Sequence, residues 1–120
     1  MTYIPVATAT VSTVNSTTTA LGAGATFTGT SEDVSQFASI SVALYVQPLN
    51  ATGNVLIQFS NTASFPVILS NTVTAVTSTI AGGFTLDVIT AAQYFRVLYI
   101  NDSTPQTAMT IQSIFHPQAR

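Results

Sequence analysis

Few residues in this chain have side chains that could do chemistry. The single histidine, His116, precedes Pro117, and two of the four acidic residues are adjacent, Glu32 and Asp33. A Ser-His-Asp triad is formally possible, but serines are abundant and no spacing marks one as a nucleophile. On a strand, adjacent carboxylates would point to opposite faces, whereas in a loop they could share a proton or a calcium ion. We therefore predict no catalytic residue, no metal site, no cofactor and no enzyme activity.

Charge and length narrow the function classes further. Only 5% of the 120 residues are charged, against roughly 25% in an average domain. Nucleic-acid binding needs several basic contacts to phosphate groups, and this chain has only two basic side chains, Arg96 and Arg120. The lack of cysteine excludes a disulfide framework and a thiolate metal site. No apolar run reaches the roughly 18 residues of a spanning helix, and residues 1–5 lack the features of a signal peptide. We predict one domain without a nucleic-acid or membrane partner.

The elements that must position any site are strands. The chain has 21 threonine and 12 serine residues in place of the lysine and glutamate that are common in other domains. Apolar residues alternate with polar ones, a pattern typical of strands. Residues 37–47 and 54–60 are the clearest strands, and we predict that they form an antiparallel hairpin because every inward pair is then apolar. The predicted inward pairs are Val46 with Val55, Leu44 with Ile57, and Val42 with Phe59.

A second hairpin is predicted from residues 84–89 and 94–101. Its register places apolar residues inward, and on the outer face it sets Asp87 directly opposite Arg96. We interpret these two as a structural ion pair, worth roughly 0.2–1 kcal/mol, which serves register more than stability. The predicted inward residues of this hairpin are Phe84, Leu86, Val88, Phe95, Val97 and Tyr99.

The remaining segments complete an all-β chain. Turn signals recur every eight to fifteen residues, a spacing typical of a β-sandwich. We predict a single antiparallel β-sandwich, jelly-roll-like, with eight or nine short strands and almost no helix. Residues 1–20 are expected to form an extended N-terminal arm or first strand, and residues 21–120 the sandwich domain. The further predicted strands are 6–14, 17–28, 65–69, 73–80 and 106–115, the last with Met109, Ile111, Ser113 and Phe115 on one face.

Binding surfaces are the remaining source of function. Tyr45 and Tyr94 fall on outer strand faces in the predicted registers, where aromatic rings could contact a partner or stack on a sugar. A surface with so few charges also protects poorly against association, and its strand edges lack the lysines that normally block pairing. This composition favours a subunit that packs against copies of itself or against a scaffold.

Three segments carry a resemblance to a known class of proteins: residues 40–45, residues 53–60, and residues 94–101 with the following strand 109–114. They resemble the small β-sandwich virion modules of tailed bacteriophages and other double-stranded DNA viruses. The chain departs from many of these modules in having Phe65-Pro66 where a tryptophan often follows the second strand. The resemblance covers about two thirds of the chain.

The resemblance implies a non-enzymatic structural protein of the virion, most specifically a capsid decoration (cement) protein. Its implied partners are the major capsid protein or another virion protein and further copies of the chain, with a trimer favoured. The alternative is a glycan-binding module of a viral fibre, tail or baseplate. A sugar-dependent shift in melting temperature would favour the alternative, and salt-insensitive association with empty capsids would favour the decoration protein.

Overall fold

The chain folds into two antiparallel sheets that pack face to face. The computed structural model describes residues 9–48, 51–64, 70–78 and 82–117. Within these ranges there are nine strands and no helix, so the predicted all-β sandwich is confirmed. The strands are β1 (Thr10–Val11), β2 (Thr26–Thr28), β3 (Glu32–Asp33), β4 (Phe37–Gln47), β5 (Gly53–Ser60), β6 (Ser70–Ser78), β7 (Gly82–Ile89), β8 (Tyr94–Asn101) and β9 (Ala108–Pro117).

The strand order is that of a jelly roll. The first sheet has the order β1-β9-β4-β7, and the second has the order β2-β8-β5-β6, with β3 also pairing β8. In this arrangement β4 and β5 belong to opposite sheets, as do β7 and β8, while β5 and β6 form the hydrogen-bonded hairpin. The jelly-roll expectation is therefore confirmed, although the partners of individual strands differ from those predicted.

Both predicted hairpin registers are wrong. β4 pairs with β7 and β9, and β5 pairs with β6 and β8. The two strands of each predicted hairpin do bury their apolar faces in the same core, but they lie in opposite sheets and are not neighbours within one sheet. The predicted Asp87–Arg96 ion pair is wrong for the same reason: Asp87 lies opposite Ser41 in the first sheet, and Arg96 lies opposite Gln58 in the second. The Arg96 Nε donates to Gln58 Oε1 at 2.8 Å.

The predicted inward faces are largely confirmed. Leu86 is half-buried, and the side chain of Phe84 lies outside the described residues. Rings from both sheets meet in the core, with Phe95 5.7 Å from Phe59 and 5.6 Å from Phe115 between centroids. Because alternation reports burial directly, it predicts faces well. The predicted inward residues that are buried are Val42, Leu44, Val46, Val55, Ile57, Phe59, Val88, Phe95, Val97, Tyr99, Met109, Ile111, Ser113 and Phe115.

The early and Thr-rich segments differ most from the predicted strands. Residues 6–8 of the predicted strand 6–14 lie outside the described residues, and of residues 9–14 only β1 is a strand. Of residues 17–28, only β2 and an isolated bridge at Thr17 are paired. The predicted strand 65–69 lies outside the described residues. The predicted strand 73–80 corresponds to β6, which begins earlier, and the last strand extends to Pro117. Threonine suits both strands and loops, so it sets boundaries poorly.

Candidate functional site

The outermost strand of the first sheet, β7, has a long open edge. β4 pairs with one side of β7 through eight consecutive residues, and within the part of the chain that the structure describes no strand pairs with its other side. We call this side the β7 edge. It holds no lysine or proline, and Asp87 is its one charge, so it lacks the usual features that block strand addition. The β7 edge is therefore a template for another strand.

Beside the β7 edge, three polar side chains from three strands form a chain of hydrogen bonds on the outer face. Ser41 Oγ donates to Asp87 Oδ1 at 2.5 Å and lies 2.8 Å from His116 Nε2. Since the serine has one hydroxyl hydrogen and gives it to the carboxylate, His116 Nε2 is the donor in the second contact.

The order of these three residues decides what they can do. In a catalytic triad the imidazole lies between the acid and the serine, so that the acid orients the base. Here Ser41 lies between Asp87 and His116, and its proton is directed to the acid. The arrangement holds three neighbouring strands together and leaves the Asp87 carboxylate hydrogen-bonded. Sequence reasoning missed it because the three positions become neighbours only through the jelly-roll order.

A second feature of the same face is a gap in the row of side chains. Tyr45 is 42% exposed and lies directly opposite Gly83 of β7. A Cβ atom built on Gly83 would lie 4.0 Å from Tyr45 Cδ1 and 3.6 Å from Leu44 O, which is ordinary contact distance. Gly83 thus leaves room for a side chain beside the ring, and we call this space the Gly83 notch. At the other end of β7, Ile89 is 80% exposed.

The two tyrosines that the sequence marked as contact residues are not brought together. Tyr45 lies in the first sheet, whereas Tyr94 begins β8 in the second sheet, opposite Ser60 and Asp33. The Tyr94 hydroxyl accepts a hydrogen bond from Gln93 Nε2 at 3.5 Å. A single aromatic platform made from both rings is therefore absent from this fold, and only Tyr45 lies near the β7 edge.

The opposite side of the sandwich is closed by residues 10–17. Beyond β1, the backbone of Ser12 and Thr17 bonds to β9. The buried Asn15 reaches the second sheet, where its Oδ1 accepts the Val97 N–H at 2.9 Å and its Nδ2 donates to Thr30 O at 2.7 Å. Its own carbonyl accepts the Ser113 hydroxyl at 2.6 Å. The Asn15 amide thus takes the place of a missing strand partner between β2 and β3.

Close packing around Asn15 requires a glycine. A Cβ atom on Gly29 would lie 1.9 Å from Asn15 Oδ1, closer than any real contact. The Gly29 N–H also donates to Val97 O at 2.7 Å, beside the bond that Asn15 makes to the same residue. We call the group formed by residues 10–17 and Gly29 the closed edge. One signal in the sequence pointed to it: Ser113 is a polar residue on an otherwise apolar inward face.

The acidic pair lies in β3 and its carboxylates have separate partners. Glu32 accepts hydrogen bonds from Ser12 Oγ and from Asn15 Nδ2, within the closed edge. Asp33 is fully exposed, and hydrogen bonds from the Ser35 hydroxyl, from Gln93 and from the Ser35 backbone lower the pKa of its carboxyl. Among the described residues no group of three or more His, Asp or Glu side chains is arranged to hold a metal ion.

The fold and the open edge define a small jelly-roll module with one side available for strand addition. The chain belongs to the family described as the uncharacterised protein YqxG N-terminal domain, whose model matches residues 5–116. No curated protein matches the chain. In the described part of the chain there is no helix long and apolar enough to cross a bilayer.

Two solved structures share the fold. One is the crystal structure of PBSX exported protein XepA, with a TM-score of 0.75 and 18% identity over 98% of this chain. The chain spans 41% of the length of XepA. The other is a structure of Bacillus endospore appendages, described as disulfide-linked pili, with a TM-score of 0.50 and 14% identity. The match covers 99% of this chain and 98% of that one. At these identities the likeness concerns the fold alone.

Proposed function

We propose that this chain is a non-enzymatic structural module of a phage-related particle or extracellular assembly, which joins its neighbours by strand addition and low-charge contact. The β7 edge carries this proposal. It is eight residues long, uncovered in the described part of the chain, and bears a single charge whose carboxylate is already bound by Ser41. A soluble monomer normally protects such an edge, so an unprotected one favours a protein that is covered by a neighbour.

The comparisons support the same class of function. XepA is described as an exported protein of PBSX, and the second structure is described as a pilus. Those pili are described as disulfide-linked, whereas this chain has no cysteine. Contacts made by this chain in an assembly would therefore not be disulfide-linked, and neutral hydrogen-bonding faces of Thr, Ser and Asn would make them insensitive to salt.

The specific function that we propose within this class is capsid decoration. It follows from the resemblance to virion modules, with the major capsid protein or another virion protein as partner and the virion as location. The expectation of a homo-oligomer stays a prediction, and the trimer that the resemblance favours is an alternative to the twofold pairing proposed below, which the oligomeric state in solution distinguishes.

The test is the copy number in purified particles. Particles and extracellular filaments from a producing culture would be purified and this chain quantified by mass spectrometry against the most abundant structural protein. We expect a fixed ratio that matches a symmetric number of copies and that survives a wash at high salt. A chain that is absent from both preparations, or present only in trace and variable amounts, would overturn the proposal.

One observation favours glycan binding as a second candidate function. The Tyr45 ring is exposed and the Gly83 notch leaves space beside it, a geometry in which a sugar ring can stack. A glycan array followed by Tyr45→Ala tests this, with Tyr94→Ala in the other sheet as the matched control. Specific binding that only Tyr45→Ala abolishes supports the candidate, whereas no binding, or equal loss in both variants, rejects it.

A further inference from the structure

The β7 edge can be satisfied by a second copy of itself in one particular register. In an antiparallel pair around a twofold axis, directly opposite residues share a face, so an axis at Leu86 keeps every inward residue opposite an inward residue. That axis sets Gly83 opposite Ile89, and Thr85 opposite Asp87. We propose that two copies pair through β7 in this register, and that Ile89 of each copy fills the Gly83 notch of the other. The proposal rests on the proposed structural function and names its partner.

The fit of Ile89 to the notch is the main argument. Directly opposite side chains on neighbouring strands have Cβ atoms about 4.5–5.5 Å apart, so Ile89 would lie over Gly83 and against the ring of Tyr45. Ile89 is 80% exposed and Tyr45 is 42% exposed in the single copy. Pairing would cover both, and the twofold axis makes the contact twice.

Charge also favours this register. The one charged residue of β7, Asp87, would face Thr85 and not another carboxylate, so no like charges stand directly opposite. Ser41 already binds Asp87 on the side away from the new strand. An axis at Thr85, the next position that preserves the faces, would set Asp87 opposite Gly83 and leave Ile89 without the notch. The edge is thus complementary to itself at one position.

Pairing in this register would also increase burial on the inner face of β7. Leu86 is only half-buried because it lies in the last strand of its sheet, and Val88 beside it is buried. With the axis at Leu86, the two Leu86 residues would be directly opposite and would cover each other. The pair would make one continuous sheet of eight strands from the two four-stranded sheets.

Association of the full chain, measured by sedimentation equilibrium over a wide concentration range, is the first test. We expect dimers, and a dissociation constant raised at least about tenfold by Ile89→Ser, which removes the apolar contact, and by Gly83→Val, which fills the notch. Gly83→Val suits the single copy because its Cβ would lie at ordinary contact distances. Ile100→Ser, an exposed isoleucine in the second sheet, and Gly22→Val, with no atom within 4 Å of a Cβ, are matched controls that should not weaken the dimer.

The register has its own test, which the lack of native cysteine makes simple. A mixture of the single variants Thr85→Cys and Asp87→Cys should form a disulfide-linked heterodimer, because directly opposite Cα atoms lie within disulfide range. Thr85→Cys alone should cross-link much less, since two Thr85 residues are opposite only with the axis at Thr85.

Each outcome supports or overturns the pairing. A monomer at all concentrations, a trimer, or a dimer that neither Ile89→Ser nor Gly83→Val weakens would overturn it, and preferential cross-linking of Thr85→Cys with itself would overturn the register. A monomer that is still found at fixed copy number in particles would overturn this contact and leave the proposed function standing. A dimer with the expected cross-link that is absent from particles would do the reverse.

Discussion

The two outer sides of the sandwich are finished in different ways. On one side, the backbone of residues 10–17 is hydrogen-bonded to β9, and the Asn15 side chain is hydrogen-bonded to Val97 and Thr30 between β2 and β3. Backbone groups at the edges of both sheets thus have hydrogen-bond partners. On the other side, the first sheet ends at β7, and within the described residues no strand pairs with the side of β7 that faces away from β4. Under the proposed function, the closed edge stabilises the single copy, and the β7 edge is available to a neighbour.

Within the closed edge, we expect the largest loss of stability from a substitution at Asn15. Replacing this residue with alanine removes the acceptor of the Val97 N–H and the donor to Thr30 O, and a buried backbone group without a partner is costly. We expect Asn15→Ala to lower the free energy of unfolding by about 2–4 kcal/mol, measured by urea unfolding. The control is Asn54→Ala, a half-buried asparagine in β5, and equal losses in the two variants would show that the Asn15 bonds matter little.

A substitution at Gly29 tests how closely the closed edge is packed. Because a Cβ there would overlap Asn15 Oδ1, we expect Gly29→Ala to cost about 1–3 kcal/mol of unfolding free energy. Gly22→Ala, where a Cβ meets nothing within 4 Å, should change stability far less. The double variant Asn15→Ala with Gly29→Ala should lose less than the sum of the single losses, because the clash needs both side chains. Strict additivity would contradict this packing.

The β7 edge should respond in the opposite way. Ile89 is 80% exposed in the single copy, so Ile89→Ser should change its unfolding free energy by no more than about 0.5 kcal/mol, even though it weakens association. Val88→Ser, one position earlier and buried, is the contrasting variant and should destabilise clearly. Thermal unfolding at a concentration where the chain is monomeric makes the comparison. A large loss from Ile89→Ser would mean that β7 supports the single fold as well.

The sequence predicts which residues face the core much better than which strands are neighbours. Ile57 and Leu44 are both buried as expected, because alternation with a period of two depends only on burial. Their strands were expected side by side, yet they lie in opposite sheets, and an apolar face is satisfied equally well by a strand beside it or across from it. The Asp87–Arg96 ion pair failed with that register, since it depended on which strands are neighbours.

The sites are less predictable than the fold, for a physical reason. Ser41 is hydrogen-bonded to Asp87 and His116, which are separated from it by 46 and 75 positions in the sequence. These contacts can be predicted only once the strand order is known. Asn15 acts from a loop, and nothing in its local sequence sets it apart from other asparagines. The open edge itself was expected only in general terms, from the shortage of charge and the absence of lysine.

The smallest expected effect is on the pH dependence of stability, at the exposed residue Asp33 beside the closed edge. Glu32 accepts hydrogen bonds from Ser12 and Asn15 of the closed edge, whereas its neighbour Asp33 is exposed and accepts hydrogen bonds from Ser35 and Gln93. These hydrogen bonds lower the pKa of Asp33 in the folded chain. A carboxyl with a lowered folded pKa stabilises the fold above its unfolded pKa, and this contribution is lost as the pH falls through the folded value. Asp33→Asn should therefore flatten part of the acid-side loss of stability that begins below about pH 5 and continues below the unfolded pKa of about 3.9, measured by urea unfolding from neutral pH into the acid range. Asp102→Asn is the control, because its carboxylate also accepts a hydrogen bond at the surface, from Thr52 Oγ1. If the two variants flatten the profile equally, the Ser35 and Gln93 bonds have no special part in it.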